Sequence, residues 1–335
     1  MTTTPPANTN TIYVYNGGSF SPPTLAHQQI CIDTIANLQE RFLHDSVTKI
    51  EFLITPVPDV YPKASVRPEC ISYQARCAMI KIMIDNIQQS INSVFKGKEY
   101  EIVVSLNQIE QTLSHETKSD GSGINGFMGT YNYVDAFSKR TGVSSSNIFL
   151  LLGLDNAKAL VSTGAKRWKN PIHLVSRFKF LIYPRSGFSI DYAEMFKLFN
   201  ANVESFDSAT QLDINLSTNT HNLDDIATEI TQFRTDPEQF LRDRFMVITA
   251  SESTATEDSI SIADTSSSKI RRVLYNYDKF GITLRQEVIQ ENLQVLDPRI
   301  LQIIKENHLY TDGMLCEGEK EFQNIIKSIP EEWKN

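Results

Sequence analysis

Two rhythms of apolar residues alternate along the first three-quarters of the chain. The runs "TIYVY" (11–15), "KIEFLITPV" (49–57), "YEIVVSL" (100–106), "NIFLLLG" (147–153), "FKFLIYP" (178–184) and "RFMVITA" (244–250) predict strands. After the first of them, residues 26–42 place Cys31, Ile35, Leu38 and Phe42 at i, i+4, i+7 and i+11, the buried stripe of a helix. Residues 69–92, rich in Ile, Met and Ala, predict a second, long helix. The runs at 100–106 and 147–153 are apolar nearly throughout, as strands are when a parallel sheet is covered on both faces. Strands alternating with helices imply right-handed crossovers and an α/β fold. The expected architecture is a doubly wound, mostly parallel sheet with helices on both faces.

Several stretches break the alternation. Residues 1–10 read as a short disordered tail, and 114–129 as a Gly/Ser-rich loop. Residues 188–243 hold a short helix candidate, "YAEMFKLFN", followed by a polar Asn/Thr/Asp-rich run, and read as an insertion. The Ser/Thr-dominated residues 251–268 read as a mobile loop. A domain over 11–312 and a charged C-terminal tail over 313–335 are therefore expected.

Composition narrows the function classes. The 335 residues are 41% hydrophobic and 21% charged, an ordinary globular balance, and no apolar run is long enough to span a membrane. The N-terminus has neither the pattern of a signal peptide nor that of a mitochondrial presequence. A net charge of −8 argues against a nucleic-acid partner, but a few local cations can still focus a small anion. Cys31, Cys70, Cys77 and Cys316 show neither zinc spacing nor a C-x-x-C pair, so reduced, packed thiols and an intracellular setting in cytoplasm and/or nucleus are expected. The sequence leaves a homo-oligomer open.

The first strand runs into "YNGGSFSPPTLAH" (15–27), a stretch both bare and stiff. An ordinary strand-to-helix turn needs Gly and Pro and nothing more. A phosphate cradle needs the same residues for a further reason: glycine lets backbone approach an anion, and the following helix aims its free amides and positive dipole end at it. Thr24 and His27, at i and i+3, lie at one end of that helix, and both can donate to phosphate oxygens. A second helix start, "DTSSSKIRRVL" (264–274), sets serines before Lys269, Arg271 and Arg272. Alone it would be a capped surface helix. Two such starts in one α/β domain suggest a nucleoside triphosphate.

"GGSFSPPTLAH" resembles the G-x-F-x-P-x-[HT]-x-x-H motif of nucleotidylyltransferases, and "TSSSKIR" resembles their I-S-S-T-x-I-R motif. Within that superfamily, "PVPDVYPKASV" (56–66), "LLGLDNAKALVSTGAKRW" (151–168) and "LDPRILQIIKENHLY" (296–310) are similar to the nicotinamide/nicotinate mononucleotide adenylyltransferase family. The likeness covers about residues 11–312, apart from the insertion. It implies a Rossmann-like fold and the reaction of ATP with a pyridine mononucleotide to give dinucleotide and pyrophosphate. Gly18, Ser19, Phe20, Thr24, His27 and Lys63 would meet the ATP phosphates, with His27 nearest the reacting α-phosphate. Ser267, Ser268 and Arg271 would grip the β- and γ-phosphates. Gly153 and Asp155 would hold a ribose, and Trp168 would stack on the pyridine ring. Mg²⁺, or another divalent cation, would be held mainly by phosphates and water, with no protein metal site.

Three departures stand out. Thr24 replaces the motif's first His, Thr265 and Ser268 replace its Ile and Thr, and the third strand is followed by "SLNQIEQTL", with Glu110 and no tryptophan. Whether the amide or the acid form of the mononucleotide is preferred stays open. Other readings are a sister transferase with a different phosphate acceptor, and a non-catalytic nucleotide-binding chaperone or scaffold of the same fold.

Overall fold

In a computed structural model, the described residues are 10–42, 47–94, 101–161, 168, 171–184, 194–195, 197, 235–249 and 266–334. The expected strands all form: β1 (Thr11–Gly18), β2 (Lys49–Pro56), β3 (Glu101–Leu106), β4 (Ile148–Gly153), β5 (Lys179–Tyr183) and β6 (Phe245–Val247). They make one 6-stranded sheet of order β3-β2-β1-β4-β5-β6. Parallel pairs join β1 to β4 with Tyr15 beside Leu150, β4 to β5 with Leu151 beside Leu181, and β5 to β6 with Leu181 beside Met246. The order reverses between β1 and β4, as in a doubly wound, Rossmann-like α/β sheet, and β1 leads directly into the Gly/Pro turn.

The helices of the first half are α1 (Leu25–Phe42), α2 (Tyr73–Val94), α3 (Ile109–His115), α4 (Thr130–Thr141), α5 (Leu154–Val161) and α6 (Pro171–Arg177). On α1 the expected stripe is buried at Cys31, Ile35 and Leu38. α4 was not foreseen; it stops at Gly142, whose φ of 70° is the left-handed cap that glycine adopts without penalty. Most of the expected insertion lies outside the described residues, and so does the loop up to Thr265. From the insertion's end comes α7 (Pro237–Arg244), capped by Asp236.

The chain folds as two compact units. The first comprises Met1–Asn16, Glu40–Ile50 and Gly129–Ala250. Its core is built on Val14, Leu150, Phe180, Leu181 and Phe245, with the Phe180 and Phe245 rings stacked at 4.8 Å. The second comprises Gly17–Gln39, Glu51–Met128 and Ser251–Asn335. It contains α8 (Ser267–Leu274), α9 (Gln286–Leu293), α10 (Pro298–Glu306), α11 (Gly313–Glu317) and α12 (Glu319–Lys327).

The expected charged tail over 313–335 is corrected for its described residues, 313–334, which form helices that pack into a core. Phe322 and Ile325, on one face of α12, and Ile329, just beyond its end, bury themselves in one cluster with Ile270, Val273 and Tyr277. Phe322 lies nearly parallel to Tyr277 at 5.8 Å. A Cβ on Gly313 would fall 2.0 Å from the Phe322 ring, which Tyr275, Tyr277 and Phe280 hold in place. Gly313→Ala should therefore destabilise the fold by about 1–3 kcal/mol, the usual cost of overpacking, as read by denaturant unfolding. The expectation of four reduced thiols is also corrected: Cys70 and Cys316 are bonded, with Cα atoms 4.9 Å apart across 246 positions. Their separation hides the pair from any spacing rule. Cys31 and Cys77 are buried and lie outside any disulfide.

Candidate phosphate site

The turn after β1 is strained by its composition. Phe20, at φ 44°, takes a left-handed conformation that bulky residues avoid, and its ring is buried. Gly18 lies close beside it: a Cβ there would fall 3.0 Å from the Phe20 ring and push it aside by a few tenths of an ångström. Carbonyls of the turn face inward and are tied down. Ser19 O accepts from Arg76 Nη1 at 3.1 Å, Ser21 O from Arg271 Nη1 at 2.7 Å, and Pro22 O from Ser267 Oγ at 2.8 Å. Ser21 Oγ donates to Ser65 O at 2.5 Å and lies 3.1 Å from Tyr310 Oη. Among the described residues, the amides of Ser19, Phe20 and Ser21 meet no acceptor. Consecutive amides left free around a left-handed residue form a concave nest that suits an anion.

The entry to α1 sets the histidine. Thr24 caps the helix, its Oγ1 accepting from the His27 amide at 3.4 Å. The Thr24 amide in turn donates to His27 Nδ1 at 3.2 Å, with Thr24 Oγ1 2.8 Å from the same nitrogen. Nδ1 is thus an acceptor, and the proton of the neutral ring belongs on Nε2, ready to be donated. Burial, and then the nearby Lys63 cation, lowers the pKa of His27 from 6.5 to about 4. The folded chain therefore binds fewer protons than the unfolded chain between these values. Stability should rise with pH through that window and be lost as pH falls from 6.5 toward 4. His27→Asn should flatten that dependence, measured by urea unfolding at pH 5 and 7.5.

Cations ring the turn. Lys63 Nζ donates to Ser19 Oγ at 3.2 Å, and its pKa is lowered by burial first and the Arg271 charge second. The segment carrying Lys63 is held by Asp59, which accepts from Gln111 Nε2 at 3.0 Å and sits 2.8 Å from His115 Nε2. Arg76, wholly buried on α2, also donates to Val57 O at 2.9 Å and so clamps the turn to the chain beyond β2. At the start of α8, Ser266 caps the helix. Ser268 Oγ accepts from Arg271 Nη2 at 3.2 Å. Arg271 is 1% exposed; burial opposes its charge, but the Glu317 carboxylate more than compensates and raises its pKa.

The structure thus brings Gly18, Ser19, Phe20, Thr24, His27, Lys63, Ser267, Ser268 and Arg271 together within the second unit. Gly153 ends β4 and Asp155 stands in the first turn of α5, both exposed, in the first unit, where Trp168 is half-buried. Arg76, Ser21, Tyr310 and Glu317 were missed by sequence reasoning. Among the described residues, no three His, Cys, Asp or Glu side chains converge on a metal position, and no helix is long and apolar enough to cross a membrane.

Sheet order defines a Rossmann-like α/β protein, and its first turn carries the residues that resemble the nucleotidylyltransferase motif. No protein-family model matches the chain. A probable nicotinate-nucleotide adenylyltransferase of Acholeplasma laidlawii is 23% identical over 180 residues, covering 54% of this chain and 70% of that protein. This relative bears out the motif resemblance to the nicotinamide/nicotinate mononucleotide adenylyltransferase family. Among solved structures, Plasmodium falciparum nicotinic acid mononucleotide adenylyltransferase complexed with APC gives a TM-score of 0.48 at 17% identity, over 90% of this chain and 97% of that one. The same enzyme complexed with NaAD gives 0.47 at 17% identity and the same coverage.

Proposed function

We propose that the chain joins ATP to a pyridine mononucleotide, nicotinate mononucleotide first, giving the dinucleotide and pyrophosphate. The observation that carries this reading is the turn itself: free amides at Ser19–Ser21, a neutral His27 donor and the cations Lys63 and Arg271 around one backbone concavity. The name of the bacterial relative supports the choice of acceptor. An oxygen of the mononucleotide phosphate attacks the α-phosphorus of ATP. The bond to the β-phosphate oxygen breaks, and pyrophosphate leaves with that electron pair. The attacking phosphate is already ionised at neutral pH, so no strong base is required; the protein must position two anions and stabilise charge.

In this reading His27 Nε2–H would donate to an α-phosphate oxygen, and the turn amides to its neighbours. Gly153 and Asp155 are assigned to a ribose and Trp168 to the pyridine ring through the motif resemblance. Mg²⁺ or another divalent cation, where bound, would be held mainly by the phosphates and water and would neutralise charge on the triphosphate. The test incubates the purified chain with ATP, Mg²⁺ and either nicotinate or nicotinamide mononucleotide. Dinucleotide formation with the acid form faster is the expected result. ATP binding without any dinucleotide would overturn the reading.

A further inference from the structure

The carboxylate of Glu317 comes from a segment beyond the reach of the motif resemblance, at the end of α11. Its Oε1 accepts from Arg271 Nε at 3.0 Å, from Arg271 Nη2 at 2.7 Å and from Tyr275 Oη at 2.6 Å. The same guanidinium donates through Nη1 to Ser21 O, inside the phosphate turn. Arg271 is 1% exposed and Glu317 16%, so the pair lies largely out of water. The Cys70–Cys316 bond anchors the residue next to Glu317, and Gly313, at the other end of α11, packs against Phe322. The carboxylate is therefore held at the guanidinium by the surrounding structure, as an exposed, freely rotating side chain would not be.

We propose that Glu317 is a positioning residue that competes with the polyphosphate for Arg271. This rests on the phosphate-site reading above. Phosphate oxygens and a carboxylate both favour the paired N–H groups on one edge of a guanidinium. With Glu317 on that edge, a polyphosphate can recruit Arg271 only by displacing the carboxylate or by sharing the guanidinium with it. The carboxylate also subtracts one positive charge from the field that an anion meets, leaving Lys63 as the less encumbered cation. Segment 313–317 thereby sets how tightly the site holds a triphosphate before reaction and a pyrophosphate after it. A site with Arg271 uncompensated would bind both more strongly and release product more slowly.

The sign of the effect separates this role from a merely structural one. Loss of a structural support loosens the site and weakens anion binding; loss of a competitor tightens it. Inorganic tripolyphosphate and ATP should be titrated calorimetrically into the full chain, with urea unfolding as the control for folding. Glu317→Gln, which keeps the shape and removes the charge, should bind both about tenfold tighter. With the transfer assay active, kcat should fall together with KM as pyrophosphate release slows. Glu317→Asp, which restores the charge, should return affinity toward the parent value. Equal or weaker binding by folded Glu317→Gln overturns the proposal.

If Glu317→Gln does not fold, Tyr275→Phe decides. It removes a donor from the carboxylate and leaves more of its charge for Arg271, so binding should weaken about twofold to threefold. Equal or tighter binding by that variant overturns the proposal. The outcomes also distinguish the two readings. Binding by every variant without this order overturns the role of Glu317 alone, whereas no binding by any of them overturns the phosphate site and this role with it.

Discussion

Arg76→Met is expected to lower the stability of the chain by about 2–4 kcal/mol and to raise the KM for ATP. Arg76 is wholly buried, and its two Nη groups bond the carbonyls of Ser19 and Val57. Methionine fills much of the same volume but accepts instead of donating. Both carbonyls are part-buried, and leaving a buried acceptor unpaired costs about 1–3 kcal/mol. Removing a guanidinium that burial already disfavours, as its lowered pKa shows, returns part of that sum. The remainder is a large fraction of a typical stability of about 5–15 kcal/mol. The effect on KM follows from position: the Ser19 carbonyl, once released, can rotate outward and turn the nest's free amides away from an anion. Arg76→Lys, which reaches one carbonyl at a time, should fall between. Urea unfolding and initial rates against ATP concentration read both effects. A stability within about 0.5 kcal/mol of the parent, the range of an ordinary surface change, would show that the clamp is dispensable.

What made Arg76 hard to see also explains where the sequence stopped being informative. The strands were legible because β4 and β5 are short apolar runs bounded by breakers, and their burial follows from composition alone. Thr24 with His27 was legible because the pair spans a single helical turn, so spacing determines its contact; Ser268 and Arg271 came through the motif resemblance. Arg76 and Glu317 reach their partners across 57 and 46 positions, and nothing local marks a charged helical residue as buried. The Cys70–Cys316 pairing is longer still. The packed C-terminus, by contrast, carried a readable signal. "EFQNIIKSI" places Phe322 and Ile325 on one face of α12, with Ile329 just past its end, but its many charges suggested a charged tail. A narrow apolar stripe suffices to dock a helix even where most of its residues are polar.

Replacing His27 by Ala should reduce turnover by about 10²- to 10³-fold, the usual effect of removing one preorganised donor to a developing charge. The effect depends on which form of the ring donates. Its pKa of about 4 leaves it neutral at pH 7, and the Thr24 amide at Nδ1 directs the remaining proton to Nε2. The donor is then present without the cost of burying an imidazolium among Lys63 and Arg271. Turnover should accordingly be level from about pH 7 upward until another group titrates, whereas an imidazolium donor would lose activity as pH rose. His27→Gln, whose amide can present an N–H near the Nε2 position, should recover part of the loss, and ATP affinity should change far less than kcat because the amides of the turn remain. Near-normal turnover in His27→Ala would remove the residue from the chemistry. A turnover that declines between pH 6.5 and 8 in the parent chain would instead keep His27 in place and make the charged ring the working form.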